Sequence, residues 1–330
     1  MLNVAGRTAL TKATMSAIPI HMSIALCLSP WAVNSIDKLR QAFIWSGNES
    51  VASGRCKVAW ETVCRPRDLG GLGVSDLRHA GIALRVRWEW KARTERRLRL
   101  CSDERSVVAV FQAATIFSLG NGESTFFWTD SWIQGSSIQV LAPAVFAAVS
   151  TRKRRATVAG ALHQDAWIRH ITGPLSMQVL MEFDRLCDIL EEVQLTPQPD
   201  TFAWRLTADQ NYSAASAYRA MFLGSSQPFG ARQVWKTSAP PRVKFFWWLV
   251  VHGRCWTGDR RYRHGLQDSN TCIICDQTAE TLDHILLECP FAREVWGRCL
   301  MKLHLSDMIT VQHGPAIYWW IQFRKRIPKT

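Results

Sequence analysis

Four residues carry the spacing Cys272-x2-Cys275-x8-His284-x4-Cys289. Zinc takes four ligands in a tetrahedron, and three soft thiolates with one imidazole satisfy that preference. Two cysteines separated by two residues cup one edge of a metal from a tight turn, so His284 and Cys289 must supply the other edge. Five residues of ideal α-helix turn through ~500°, which leaves two such side chains about 140° apart. One continuous helix therefore cannot present both. Pro290 offers a way out: a short turn ends near Glu288, Cys289 acts as the cap, and Pro290 opens a new helix. A thiolate at that N-terminus also gains from the helix dipole. Four protein ligands leave no open coordination position, which marks a structural site and not a catalytic one. Metal binding of this kind contributes ~10–16 kcal/mol, more than a short Gly/Ser-punctuated segment obtains from its own core. The competing explanation is three coincidental cysteines beside a histidine, a decayed or vacant site. Paired spacings at both ends weigh against it.

Immediately upstream, Arg242 to His264 contains six Lys/Arg and one acid, Asp259. We expect Arg254, Arg260, Arg261 and Arg263 to contact phosphates while the zinc turn fixes their orientation; the plainer alternative is a solvated basic surface. Each neutralised phosphate should lower log K by ~0.7–0.9 per decade of salt. Among sixteen tryptophans, Trp88, Trp247, Trp248 and Trp296 suit a core, and Trp256 is the best candidate for stacking on a base. Lys91, Arg93 and Arg97 belong to a strongly basic stretch from Arg85 to Arg99 that either grips a nucleic-acid backbone or faces water. The run Arg152 to Arg155 is compatible with nuclear import, although four-residue basic runs are common.

Composition sets these residues in context. The chain has 330 residues, enough for two or three compact units, and 47% hydrophobic with 20% charged residues describes a globular protein. A net charge of +13 favours a polyanionic partner, RNA or DNA bound through its backbone without sequence preference. The other cysteines of the ten, including Cys27, Cys64, Cys101 and Cys299, are expected to be buried free thiols, since a chain of this length needs no covalent staples. Ile18 to Val33 is apolar behind Arg7 and Lys12, but Pro19, His21 and Pro30 interrupt it and no small-residue cleavage site follows. No segment supplies the ~20 apolar residues of a spanning helix. An intracellular protein, in the nucleus if the basic run is read, is the expectation.

The elements that must position these residues read as mainly α with minor β. Ala9 to Ile18 is a candidate helix stopped by Pro19, and Ser35 to Trp45 a second, capped by Ser35 with Ile36, Leu39 and Phe43 on one face. After the turn at Gly70, Gly71 and Gly73, a third helix carries Leu77, Ala80, Leu84 and Trp88 on one stripe. Gly120-Asn121-Gly122 is a turn, and Thr125 to Trp132 alternates like one strand of a hairpin. Leu175 to Val193 is helical, Phe202 to Leu206 is a second strand candidate, and Ser213 begins a helix that stops near Gly224. Pro240-Pro241 starts a helix through Val250 whose successive Phe245, Phe246, Trp247 and Trp248 demand packing nearly all round. A last helix runs from Ile317 to Arg326.

With those residues placed, Trp204 to Trp296 resembles the reverse-transcriptase zinc-binding domain of plant LINE-type (non-LTR) retrotransposons. The words that carry it are FAWRLTADQNYSAASAY, VWKTSAPPRVKFFWWLVVHGRCWTGDRR and CIICDQTAETLDHILLECPFAREVW. Upstream, AGRTALTKATMSAIPIHM, AFIWSG, VAWETVCRPRDLGGLGVSDLRHAGIAL and GNGESTFFWTDSW are similar to the region linking the polymerase palm to that domain. The resemblance covers about residues 3–300. It implies a helical thumb-like region at 1–100, a mixed connector at 101–200 and a small zinc-stabilised α-rich module at 201–300; residues 301–330 lie outside it and read on their own as a basic tail helix. Polymerases of this family need a Tyr-x-Asp-Asp turn to hold two metal ions, and the chain contains no Asp-Asp pair. The resemblance therefore implies a non-catalytic, C-terminal piece of a reverse transcriptase that binds zinc and nucleic acid. The alternatives are a zinc-braced module for a protein partner, or a retroelement remnant without a cellular role.

Overall fold

The computed structural model describes residues 2–52, 54–94, 104–309 and 314–326. Among the described residues the chain is mainly helical with one two-stranded antiparallel sheet. It forms two compact units: Met1–His21, Leu28–Leu77 and Gly224–Thr330 make the first, and Met22–Cys27 with Arg78–Leu223 make the second. These units cut across the four consecutive regions expected above, because segments far apart in sequence share one core.

In the first unit, Ser29 caps the helix Pro30–Trp45 by accepting from the Ala32 N–H, and Pro30 occupies the first turn. The helix thus begins five residues before the expected cap Ser35, and its buried face is Val33, Arg40 and Ile44 while Leu39 is exposed. Arg40 is fully buried, and its two terminal nitrogens donate to Asp37, Ser16 Oγ and the Ser75 carbonyl. Burial pushes the Asp37 carboxyl upward, and Arg40 opposes that shift. Pro19 does not stop a helix. It sits buried in the first turn of Ala17–Met22, where its missing N–H removes no helical bond. Val4–Leu10 and a π-helical turn Thr11–Met15 precede it.

The helix Pro241–Val251 crosses this core with Phe245, Trp248, Leu249 and Val250 buried. Phe246 is 42% exposed, so the packing is not all round as expected. Trp248 donates its indole N–H to the Gly70 carbonyl at 3.0 Å. The glycines of the DLGGLG stretch answer to the backbone itself: Gly70 has φ +84°, and a Cβ on Gly71 would lie 2.0 Å from the Arg65 carbonyl oxygen. The last helix, Ala316–Arg326, is integral to the same core through Trp319 and Trp320, and Arg324 donates to the Gln233 and Lys236 carbonyls. It is not a free basic tail.

In the second unit, Leu77–Thr94 packs Ile82, Ala83 and Val86 against Val107 and Phe111 of Arg105–Ala114. Strands β1 (Thr115–Ser118) and β2 (Thr201–Trp204) pair with Thr115 opposite Trp204. Ser176 caps Met177–Glu191, and Ser213 precedes Ala214–Ala220. Thr125 to Trp132 is not a hairpin strand; it is a chain of turns with a single bridge, Phe126 to Thr157. Two carboxylates shape these turns. Asp200 accepts from the N–H groups of Gly120, Gly122, Ser124 and Thr125 and from the Thr125 hydroxyl at 2.7–3.0 Å, and Asp130 accepts the Phe126 N–H at 2.7 Å, so local side chains take donors that a strand would give to a neighbour. Burial raises the Asp200 carboxyl, and these hydrogen bonds together outweigh it, so its net shift is downward.

Cys64 is buried as expected, but Cys27 and Cys299 are exposed, and Cys101 lies outside the described residues. Among the described residues no helix is long and apolar enough to cross a membrane.

Candidate metal centre

The zinc segment begins as a tight loop. Thr271 bridges Ala279, the Cys272 N–H reaches the Thr278 carbonyl at 2.8 Å, and the Asp276 N–H closes a turn on the Cys272 carbonyl at 2.8 Å. Asp276 sits at φ +51°, a left-handed position that aspartate tolerates better than most side chains. The loop thereby holds Cys272, fully buried, and Cys275, half-buried, side by side.

The other edge solves the angular problem that an α-helix poses. His284–Glu288 is a π-helical turn, closed by the Cys289 N–H on the His284 carbonyl at 2.7 Å. A bond spanning five residues sets residue 289 over residue 284, so the thiolate and the imidazole face one point. Cys289 then precedes Pro290–Lys302, with Pro290 in its first turn. Sequence reasoning anticipated the break at Glu288 and the proline start; the wider hydrogen-bond pattern it did not.

The ligand atoms of Cys272, Cys275, His284 and Cys289 all lie within 4.8 Å of one another. Zinc–sulfur bonds of ~2.3 Å and a zinc–nitrogen bond of ~2.0 Å span tetrahedral edges of about 3.5–3.8 Å, so a modest contraction closes the shell. His284 Nε2 stands 3.3 Å from Cys275 Sγ, and Nδ1 stands 3.0 Å from Thr278 Oγ1. With Nδ1–H donating to Thr278, Nε2 turns its lone pair toward the sulfurs, which is the supporting contact zinc-bound histidines use. Hydrogen bonding from the Gln277 N–H draws the Cys275 thiol down to about 7, while burial pushes the Cys272 thiol upward. Cys275 therefore offers a thiolate near neutral pH.

Residues 212–296 match the family described as zinc-binding in reverse transcriptase. The cofactor of this centre is structural zinc, held by Cys272, Cys275, His284 and Cys289. The chain is also 26% identical over 337 residues to a ribonuclease H-like protein of Arabidopsis thaliana, covering 90% of this chain and 52% of that protein. It thus spans about half the length of the curated relative it matches. No solved structure matches. These matches, with the four ligands, support a retrotransposon-derived, zinc-binding chain.

The basic residues upstream of the centre are placed by Glu280, which is 4% exposed. Its Oε1 accepts from the Gly258 N–H at 2.8 Å, and its backbone carbonyl accepts from the Asp259 N–H at 3.2 Å. That clasp ties the N-terminus of the short helix Gly258–Arg263 to the zinc loop. Neither Glu280 nor Thr278 stood out in the sequence, because each acts through hydrogen bonds fixed only by folding.

The four arginines then divide. Arg254 is exposed, and Arg263 is exposed while pairing with Asp259 at 2.7 Å. Arg260 lies 4.9 Å over the Trp256 ring and donates to the Gly253 carbonyl, so one aromatic face is already covered. Arg261 lies 3.6 Å from Glu280 while its side chain stays 39% exposed. In the other unit, Arg93 is buried in an ion pair with Asp130 and donates to the Ser124 carbonyl, so it is not a phosphate contact as expected. Burial raises the Asp130 carboxyl, against the pull of Arg93. Lys91 is half-buried, and Arg97 lies outside the described residues.

Proposed function

We propose that this chain is a non-catalytic nucleic-acid-binding fragment from the C-terminal region of a plant LINE-type reverse transcriptase, its binding face braced by structural zinc. The observation that carries the reading is the Glu280 clasp, which fixes the cationic helix Gly258–Arg263 to the metal loop. Arg254, Arg260 and Arg263 are the phosphate contacts, and Trp256 stacks or shields according to whether Arg260 moves off its ring. The words shared with the family and the Arabidopsis relative support the retroelement origin. The name of that relative refers to ribonuclease H; soft thiolate donors suit a structural zinc ion, whereas magnesium-dependent nucleotidyl or nuclease chemistry needs oxygen ligands. An intracellular location, reaching the nucleus, belongs to the same reading.

The test is anisotropy of labelled single-stranded RNA and duplex DNA at several salt concentrations. R254E/R263E should weaken binding to all sequences and flatten the salt slope by ~1.5–2. Unchanged affinity removes these arginines from the interface. Primer extension with magnesium should give no product, and incorporation would overturn the non-catalytic part. A second reading, a module for a protein partner, rests on Ile273 and Ile274, 86% and 50% exposed between the first two zinc ligands. A salt-insensitive protein complex lost in I273S/I274S, without any nucleic-acid shift, would favour it.

A further inference from the structure

The second unit contains a cavity of about 820 Å³ into which five guanidinium side chains converge: Arg93, Arg105, Arg152, Arg154 and Arg155. They come from three separate elements: the helix Leu77–Thr94, the start of the helix Arg105–Ala114 and the turn around Lys153–Arg155. Among the described residues two carboxylates share the lining, Glu89 and Asp130. Asp130 is spent, holding Arg93 through both its oxygens and also accepting the Phe126 N–H.

The arginines play different parts. Arg93 is more than nine-tenths buried, lies 3.9 Å from the centre of the Phe126 ring, and leaves its Nε without a hydrogen-bond partner among the described residues. Arg154 lies over Phe146 at 4.5 Å and donates to the Val149 carbonyl, which fixes its direction. Arg105 and Arg152 are exposed and form no ion pair among the described residues. The cavity therefore has a floor of Arg154 beside the Arg93–Asp130 pair, with Arg105 and Arg152 outside it in no ion pair among the described residues. Like charges gathered in a concave site focus a positive potential, and guanidinium forks match phosphate oxygens in pairs. The volume falls in the range of sites that enclose a small ligand.

We infer that this cavity binds the terminal phosphates of a nucleotide or of a 5′-phosphorylated strand, with Arg105 and Arg152 as the outer contacts. It lies in the unit without the zinc centre, so it stands or falls separately from the face proposed above.

Calorimetric titration of the zinc-loaded full chain with pyrophosphate, a nucleoside triphosphate, and oligonucleotides ending in 5′-phosphate or 5′-hydroxyl tests it. The phosphate probes should bind, and R105E/R152E should lose at least ~tenfold in affinity with zinc content and circular dichroism unchanged. Should that reversal disturb folding, R105Q/R152Q decides, with a smaller loss expected. Preference for the triphosphate marks a free nucleotide as the source, and preference for the 5′-phosphate end marks a strand. Absence of binding by every phosphate probe, equal affinity in wild type and the glutamine variant, or a loss that follows R254E/R263E instead would overturn the inference.

Discussion

The two units organise glycine-punctuated loops around a buried polar centre, and they do so with different chemistry. In the first, three sulfurs and an imidazole converge on a cation. In the second, the Asp200 carboxylate gathers the donors of Gly120, Gly122, Ser124 and Thr125. One loop is held from within by a metal, the other by an anion that needs only its own negative charge. The first should therefore answer to chelators and the second to acid, and variants should separate the two responses.

The largest effect is expected from Cys289→Ser. It removes a ligand and with it much of the ~10–16 kcal/mol that metal binding lends such a segment. Elemental analysis should show zinc lost, and limited proteolysis should cut within residues 258–302 while fragments from the second unit persist. Equal protease resistance with and without the ligand would erase the contrast.

Asp200→Asn comes next. An amide offers one acceptor oxygen where the carboxylate offered two to five donors, so several N–H groups lose their partner. We expect a loss of about 2–4 kcal/mol in the second unit, read as an earlier urea transition of tryptophan fluorescence with full zinc content.

Thr278→Val sharpens the comparison on the metal side. It keeps all four ligands and removes the acceptor for His284 Nδ1. Zinc affinity in a chelator competition should fall ~10–100-fold, with the fold retained at saturating metal.

The smallest effect is the pH response. The Asp200 carboxyl is held below its ordinary value of ~3.9. Its contribution is therefore complete above about pH 4 and is lost as pH falls through the folded-state value. Asp130, raised by burial, titrates with the opposite sign, so the quantity to follow is the stability difference between wild type and Asp200→Asn. That difference should shrink as pH falls below about 4, and a constant difference would deny Asp200 its charged role.

How far the fold was legible in the sequence follows the same division. The metal ligands could be read because zinc restricts both residue type and spacing, and Pro290 and Pro241 mark helix starts through a fixed φ. Helices with strong periodicity, such as Met177–Glu191, were legible for the same local reason. Asp200 was not, since it binds backbone groups 75 to 80 residues away that any sequence possesses. Thr125 to Trp132 therefore looked like a strand. Arg93 read as a surface cation because its neighbours are basic, and only the tertiary fold brings Asp130 beneath it. Leu72 and Trp248 share a core that no local pattern announces.

The turn His284–Glu288 acts as a ruler. Inserting or deleting one residue there would swing the Cys289 sulfur by roughly 100° and strand it on the far side of the helix. The loop from Cys275 to His284 is tied instead by separate hydrogen bonds, the Cys272 N–H on the Thr278 carbonyl and His284 Nδ1 on the Thr278 hydroxyl, which a longer loop can re-form. Length variation among such clasps should thus collect on one side of the histidine and be absent from the other.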